Sequence, residues 1–309
     1  MTAPHTHTHT HAGAHTGLEG ATPPLGADPR TGAAVGYDPR RTLPLRVELR
    51  RQLSRRRTRL VFAFLVVLPL LLVAAFKLGS NSRDGQAPGL VDLATTGAAN
   101  FTLFTLFVST GFLLVVVVAL FAGDTIASEA SWSSLRYLLA MPVPRARLLR
   151  QKLLVALGLS LAALVLLPVT SYLAGGVFFG WAAPRLPLGG TLPTGETLLR
   201  LGIIVVYLAV TLLFVAALAF LLGVCTDAPL GAVGGAVLLV ILSNILDAVT
   251  ALGSLRHALP THYSYSWTDA LQPAVSWSAM ISGALYSLAY SAVLLVAAWI
   301  RFQRKDITS

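Results

Sequence analysis

Six apolar runs decide what this chain can fold into. They cover residues 60–76, 101–122, 153–181, 201–224, 229–252 and 281–300, and they are almost free of charge. A helix rises 1.5 Å per residue, so about 20 apolar residues cross a ~30 Å hydrocarbon core. Within that core a helix satisfies its own backbone N–H and C=O groups, which water cannot do there. The expected fold is therefore an all-α integral membrane protein with six transmembrane helices. A composition of 55% hydrophobic and 12% charged residues excludes an ordinary soluble domain.

Detail within the runs refines this expectation. Asn100 stands where it can cap the second span, and Pro168 near the middle of the third should kink it. Only Cys225 to Ala228 separate the fourth and fifth spans, which makes them a tight antiparallel hairpin. Gly231, Ala232, Gly234, Gly235 and Ala236 give the fifth span a small-residue stretch suited to close helix packing.

Charge orients the bundle. With the N-terminus inside, 18 of the 23 basic residues lie in cytoplasmic segments and 5 (Lys77, Arg83, Arg185, Arg200 and Arg256) lie outside. The positive-inside rule then places both termini in the cytoplasm. The same clustering beside apolar runs assigns the net charge of +10 to membrane orientation and excludes nucleic acid as the partner. A single cysteine, Cys225, rules out an internal disulfide. Twenty Arg against three Lys, with abundant Ala, Gly and Leu, point to a GC-rich bacterial genome and so to a bacterial cytoplasmic membrane.

Three regions follow. Residues 1–42 hold Thr, Gly, Pro, Ala and five histidines, His5, His7, His9, His11 and His15. They carry too little apolar surface to offset ordering entropy, so a disordered, solvated tail is expected. Loose binding of a divalent transition metal by those imidazoles is the sharper alternative. Residues 43–59 read as a basic amphipathic helix in the membrane interface, with Leu45, Leu49 and Leu53 among seven arginines that reach anionic lipid headgroups. Residues 60–309 are the six-span domain.

Between the second and third spans lies the one substantial cytoplasmic loop. It holds Asp124 and Glu129, then an amphipathic helix with Trp132, Leu135, Leu138 and Leu139 on one side and Glu129, Ser133 and Arg136 on the other. Pro142 and Pro144 stop that helix, and Arg145, Arg147, Arg150 and Lys152 follow. In its Asp124, Glu129, Leu135, Pro142, Arg145 and Lys152, this loop resembles the intracellular loop of ABC-2 type permeases, the membrane subunits of ATP-driven exporters. Ser133-Ser134-Leu135 stands where that family commonly has Gly-Thr-Leu, and Pro144 stands for a Ser.

The resemblance implies a permease subunit whose loop helix couples to a separate ATPase through Asp124, Glu129, Trp132, Leu135, Arg136, Pro142 and Arg145. It implies two ATPase copies carrying ATP and Mg, a second permease copy or homologue, export as the direction, and no cofactor in this chain. No G-x-x-x-x-G-K-[ST] loop is present, in keeping with ATP hydrolysis elsewhere. A secondary carrier and a membrane subunit that transmits motion without transport are the alternatives. An intramembrane enzyme is disfavoured, since outside the tail only His257 and His262 could serve a nucleophile and both sit in an outer loop.

Two residues near the outer end of the fifth span stand out. Asn244 and Asp247 are one turn apart, and a carboxylate at mid-membrane costs ~2.5–3.5 kcal/mol. They either sit wet at headgroup level or line the outer part of a substrate pathway. Residues 253–276, with Tyr263, Tyr265 and Trp267 followed by Trp277, read either as an aromatic belt or, by resemblance, as short helices dipping back into the outer leaflet.

Overall fold

The computed structural model describes residues 45–79, 90–131, 145–184 and 193–304, and among these it is all-helical. Helix α1 is Leu45–Ser54, and α2 is Arg56–Gly79. Then come α3, Leu90–Ala94, α4, Ala98–Thr110, and α5, Leu113–Ser131. Helix α6, Arg145–Phe179, is the longest. It is followed by α7, Thr194–Thr211, α8, Leu213–Cys225, and α9, Pro229–Ala248. Two short 3₁₀ segments, Thr250–Ala258 and Ser266–Leu271, lead into α10, Ser278–Gln303. Five helices are long and apolar enough to cross a membrane, or six if the bent pair α4–α5 counts as one span.

Burial ranks the helices. In the continuous span α7–α8, 61% of the most apolar window is buried, against 17% in α2 and 22% in both α9 and α10. That span is the centre of the bundle, and α8 packs against α5, α9 and α10. The others present Leu, Val and Ile outward, as a surface in contact with lipid does. The closest crossing is between α5 and α8, where a Cβ on Gly223 would lie 2.6 Å from the Gly123 carbonyl oxygen. Only hydrogen at Gly223 lets these backbones meet.

The spans depart from the sequence expectation where hydropathy carries no signal. Residues 101–122 read as one span with no sign of a break. Instead α4 and α5 meet at Gly111 and Phe112 with a bend of 59°. Asn100 does not cap the span. Gly97 holds the cap position, and Asn100, already inside α4, donates back to the Thr96 hydroxyl at 2.7 Å. Helix α6 runs unbroken through Pro168 and begins eight residues before the expected 153, so Arg147 and Lys152 belong to it. Similarly α2 takes in Arg56, Arg57 and Arg59, leaving Arg55 as the break after α1.

Local devices hold these helices in place. Pro69 inside α2 frees the Leu65 carbonyl one turn earlier, and the Thr170 hydroxyl of α6 lies 3.4 Å from that oxygen. Gly180 ends α6 in the left-handed region, at φ 88°, and its carbonyl accepts the Ala98 N–H of α4 at 2.9 Å. Phe76, Phe101 and Phe179 then interlock, with centroids 5.4–6.4 Å apart. The hairpin between α8 and α9 is as tight as expected: Thr226 accepts the Ala228 N–H at 3.2 Å and Pro229 opens α9.

Candidate functional site

Two polar features stand out, linked by α5. The first surrounds the start of the 124–152 loop. Asp124 lies near the C-terminal end of α5, with its side chain 12% exposed. Arg55, in the break after α1, donates to Asp124 Oδ2 at 3.0 Å and to the Ser128 hydroxyl at 2.9 Å. Arg57 donates to Asp124 Oδ1, also at 3.0 Å, from a far more exposed position. One carboxylate thus holds two arginines from the α1–α2 junction.

A second ion pair grips the other side of the loop. Glu48 of α1 is buried, with Oε1 3.6 Å from Nζ of the buried Lys152 in α6 and 3.1 Å from the donating Gln52 amide. Arg51 Nε lies 3.3 Å from Glu48 Oε2. Burial by itself pushes the Glu48 carboxyl up. The Lys152, Arg51 and Arg55 charges and the Gln52 hydrogen bond together outweigh it and hold the group below the usual carboxylate range. The segment 48–57 therefore holds both legs of the loop: its Arg55 and Arg57, at the α1–α2 junction, bind α5, and its Glu48, in α1, binds α6.

Of the expected coupling set, Asp124 is placed and is engaged within the chain. Glu129 and Arg145 fall on the ends of α5 and α6, with their side chains outside the described residues. Trp132, Leu135, Arg136 and Pro142 lie outside the described residues altogether, as do His5, His7, His9, His11 and His15. Glu48, Arg55 and Arg57 were missed as site residues. A signal existed: Glu48 is the only acid among the seven arginines of 43–59, with Gln52 one turn on.

The second feature is a cleft where the spans break. The α4–α5 bend faces the junction of α7 and α8 at Leu212, and both lie eleven residues from the Gly123–Gly223 crossing. Thr110, Gly111, Thr211, Asn244, Thr261 and Tyr265 help line a cavity of about 20 Å³ there, room for one water. Irregular backbone at membrane depth survives only when buried in protein or beside such a polar space. At the α7–α8 junction Ser287 of α10 donates to Val210 O at 2.8 Å and to Thr211 O at 2.9 Å. A Cβ on Gly111 would lie 2.5 Å from the Tyr265 hydroxyl, so glycine makes the notch this phenol fills.

The segment between α9 and α10 forms one wall of the cleft. Arg200 of α7 pins it, donating to the carbonyls of Ala270 at 2.8 Å, Gln272 at 2.5 Å and Pro273 at 3.1 Å. Tyr207 donates to Tyr263 O at 2.6 Å. Trp267 is 1% exposed, so it is packed core instead of belt, while Trp277 stays half-exposed. Asn244 and Asp247 separate here. Asn244 lines the cleft, whereas Asp247 is bound by His262 Nδ1 at 2.6 Å, with Arg256 Nε at 3.7 Å. The partners come from 9 and 15 residues further on, a closure that spacing within one helix could not reveal.

Among the described residues, no group of three or more His, Cys, Asp or Glu is placed to hold a metal ion. No curated protein matches this sequence. A family model described as "Protein of unknown function (DUF2705)" matches residues 61–308, which takes in Asp124, Lys152 and the cleft but leaves α1, Arg55 and Arg57 outside. The match covers most of the sequence, and the chain belongs to the DUF2705 family.

Proposed function

We propose that this chain is the membrane subunit of an ABC-2 type transporter in a bacterial cytoplasmic membrane. ATP hydrolysis belongs to a separate ATPase, present in two copies, and the permease pairs with a second copy or a homologue. The observation that carries this reading is the loop itself. Asp124, Glu129, Leu135, Pro142, Arg145 and Lys152 occur in the order in which the ABC-2 loop commonly reads. Both of its flanking helices are anchored to the segment 48–57, Asp124 on Arg55 and Arg57 and Lys152 on Glu48. A docked ATPase displaces such a loop as a unit, because its two legs share one rigid support. The cleft beside Gly111, with Asn244 in its wall, then serves as part of the substrate pathway, and export is the direction.

The test is a photo-reactive residue at Leu135 in the full-length chain, cross-linked in native membranes. The expected adduct is a subunit carrying a nucleotide-binding G-x-x-x-x-G-K-[ST] loop, lost in Glu129→Lys. A secondary carrier is the second reading, favoured by the 59° break and the Asp247–His262 pair near it. Uptake or efflux by the purified chain alone, driven by an ion gradient without ATP, overturns the first reading in favour of the second.

A further inference from the structure

Helix α1 is inside out. A helix packed on a protein normally turns its apolar stripe inward, yet here Glu48 and Gln52 face the bundle, 6% and 5% exposed. Leu45, Leu49 and Leu53, spaced four apart on one stripe, are 46%, 38% and 42% exposed. The inward polar face is fixed by Lys152 and by the internal bonds of Glu48, so the outward leucines are the consequence of a specific dock. Helix α2, apolar enough to cross a membrane, starts directly after Arg55. The exposed leucine stripe therefore lies at the boundary where a bilayer begins.

The geometry points to an anionic bilayer surface as the partner of α1. The leucines enter the upper acyl region, and Arg46, Arg50, Arg56 and Arg59, all exposed, meet phosphate and acidic headgroups. Residues 45–59 carry seven arginines against one glutamate, and Arg51, Arg55 and Arg57 are spent on Glu48 and Asp124. The remaining four form no ion pair among the described residues, so their charge is left for the lipid. A zwitterionic surface would satisfy the leucines but not the arginines, which selects the acidic lipid. This inference does not rest on the permease reading, and its test contains neither ATP nor an ATPase.

The full-length protein, with Cys225→Ser and a fluorophore on Leu53→Cys, is reconstituted in nanodiscs of phosphatidylcholine with or without phosphatidylglycerol. Quenching by a lipid with a shallow nitroxide is measured together with amide exchange over α1. Phosphatidylglycerol is expected to deepen quenching at least twofold and to slow exchange across residues 45–54. Replacing Arg46, Arg50, Arg56 and Arg59 together by Gln should abolish that response while leaving the assembly size unchanged. A second variant, Leu49→Asp, should lose quenching in both lipids. The inference falls if phosphatidylglycerol changes neither readout, or if the four-Gln variant keeps the full response. It also falls if α1 stays unquenched in lipid and gains protection only with an acidic protein or a second copy of the chain.

Discussion

Replacing Asp124 by Asn removes the charge that Arg55 and Arg57 share without changing the side chain's shape. The two contacts are equal in length, 3.0 Å each, but not in surroundings. The Arg55 side chain is 24% exposed and also bonds Ser128, whereas that of Arg57 is 62% exposed. An exposed pair contributes about 0–1 kcal/mol, while breaking a fully buried pair costs about 3–5 kcal/mol. Arg55 with Asp124 falls between these limits, and the Asn oxygen retains one hydrogen bond. Asp124→Asn should therefore destabilise by roughly 1–2 kcal/mol, nearly all of it through Arg55. The assay is a double-mutant cycle on thermal unfolding in nanodiscs, with Arg55→Gln and Arg57→Gln as second variants. Coupling to Arg55 should exceed coupling to Arg57 at least twofold. Equal couplings, or an unchanged midpoint in Asp124→Asn, would show that the carboxylate does not anchor α1.

Other consequences are simpler to read. Gly223→Val should destabilise by about 1–3 kcal/mol by forcing α5 from α8; Gly234→Ala, where a Cβ meets nothing within 4 Å, should be neutral or stabilising in the same thermal assay. Glu48 has a lowered pKa, so its contribution is complete above the ordinary glutamate value of about 4.3 and is lost as pH falls through its lower folded value. Amide exchange over α1 should accelerate in that acid window, and Glu48→Gln should remove this acid-side response. Single cysteines at Ser82, Thr194 and Ser264 in a Cys225→Ser background should label from outside intact cells, while those at Ser54, Ser134 and Thr308 should need permeabilisation. Outside labelling of Ser134 would invert the orientation.

The spans were legible because hydropathy over 20 residues is a bulk property that no single contact overrides. The hairpin after Cys225 was legible because a Pro opens α9 four residues later, leaving no room for another arrangement. The bend at Gly111 was not, since Thr-Gly-Phe inside an apolar run reads the same whether the helix continues or turns. What makes it turn is Tyr265, 154 residues away, filling the notch that Gly111 leaves. Trp267 misled for a related reason. Its composition fits a membrane interface, but burial depends on Arg200 drawing its segment onto α7, a contact that only the folded chain contains. Helix α1 was legible as an amphipathic helix, but its rotation was set by Lys152, about a hundred residues on.

Helix α5 links the two polar features, and its geometry fixes what can pass between them. Asp124 is twelve residues from Phe112, about 18 Å along the axis. Gly123, next to Asp124, rests on the Gly223 backbone, so the contact lies at one end of that length instead of its middle. A lever held near one end moves most at the other. Under the proposed function, a displacement of the 124–152 loop tilts α5 about the Gly123–Gly223 contact, and the largest shift falls at the bend lining the cleft. The bend can take up that tilt because α4 is tied separately to α6, through Ala98 on Gly180 and Phe101 on Phe179. The break in the second span is then the joint that lets its inner half move while its outer half stays fixed. A straight helix over 98–131 would carry the same motion to Asn100 and spread it along the bundle. Filling the notch with Gly111→Ala, which displaces the Tyr265 hydroxyl, should therefore uncouple ATP hydrolysis from transport while leaving ATPase binding intact. Transport at the normal rate in that variant would show that the bend is a packing feature and not the joint.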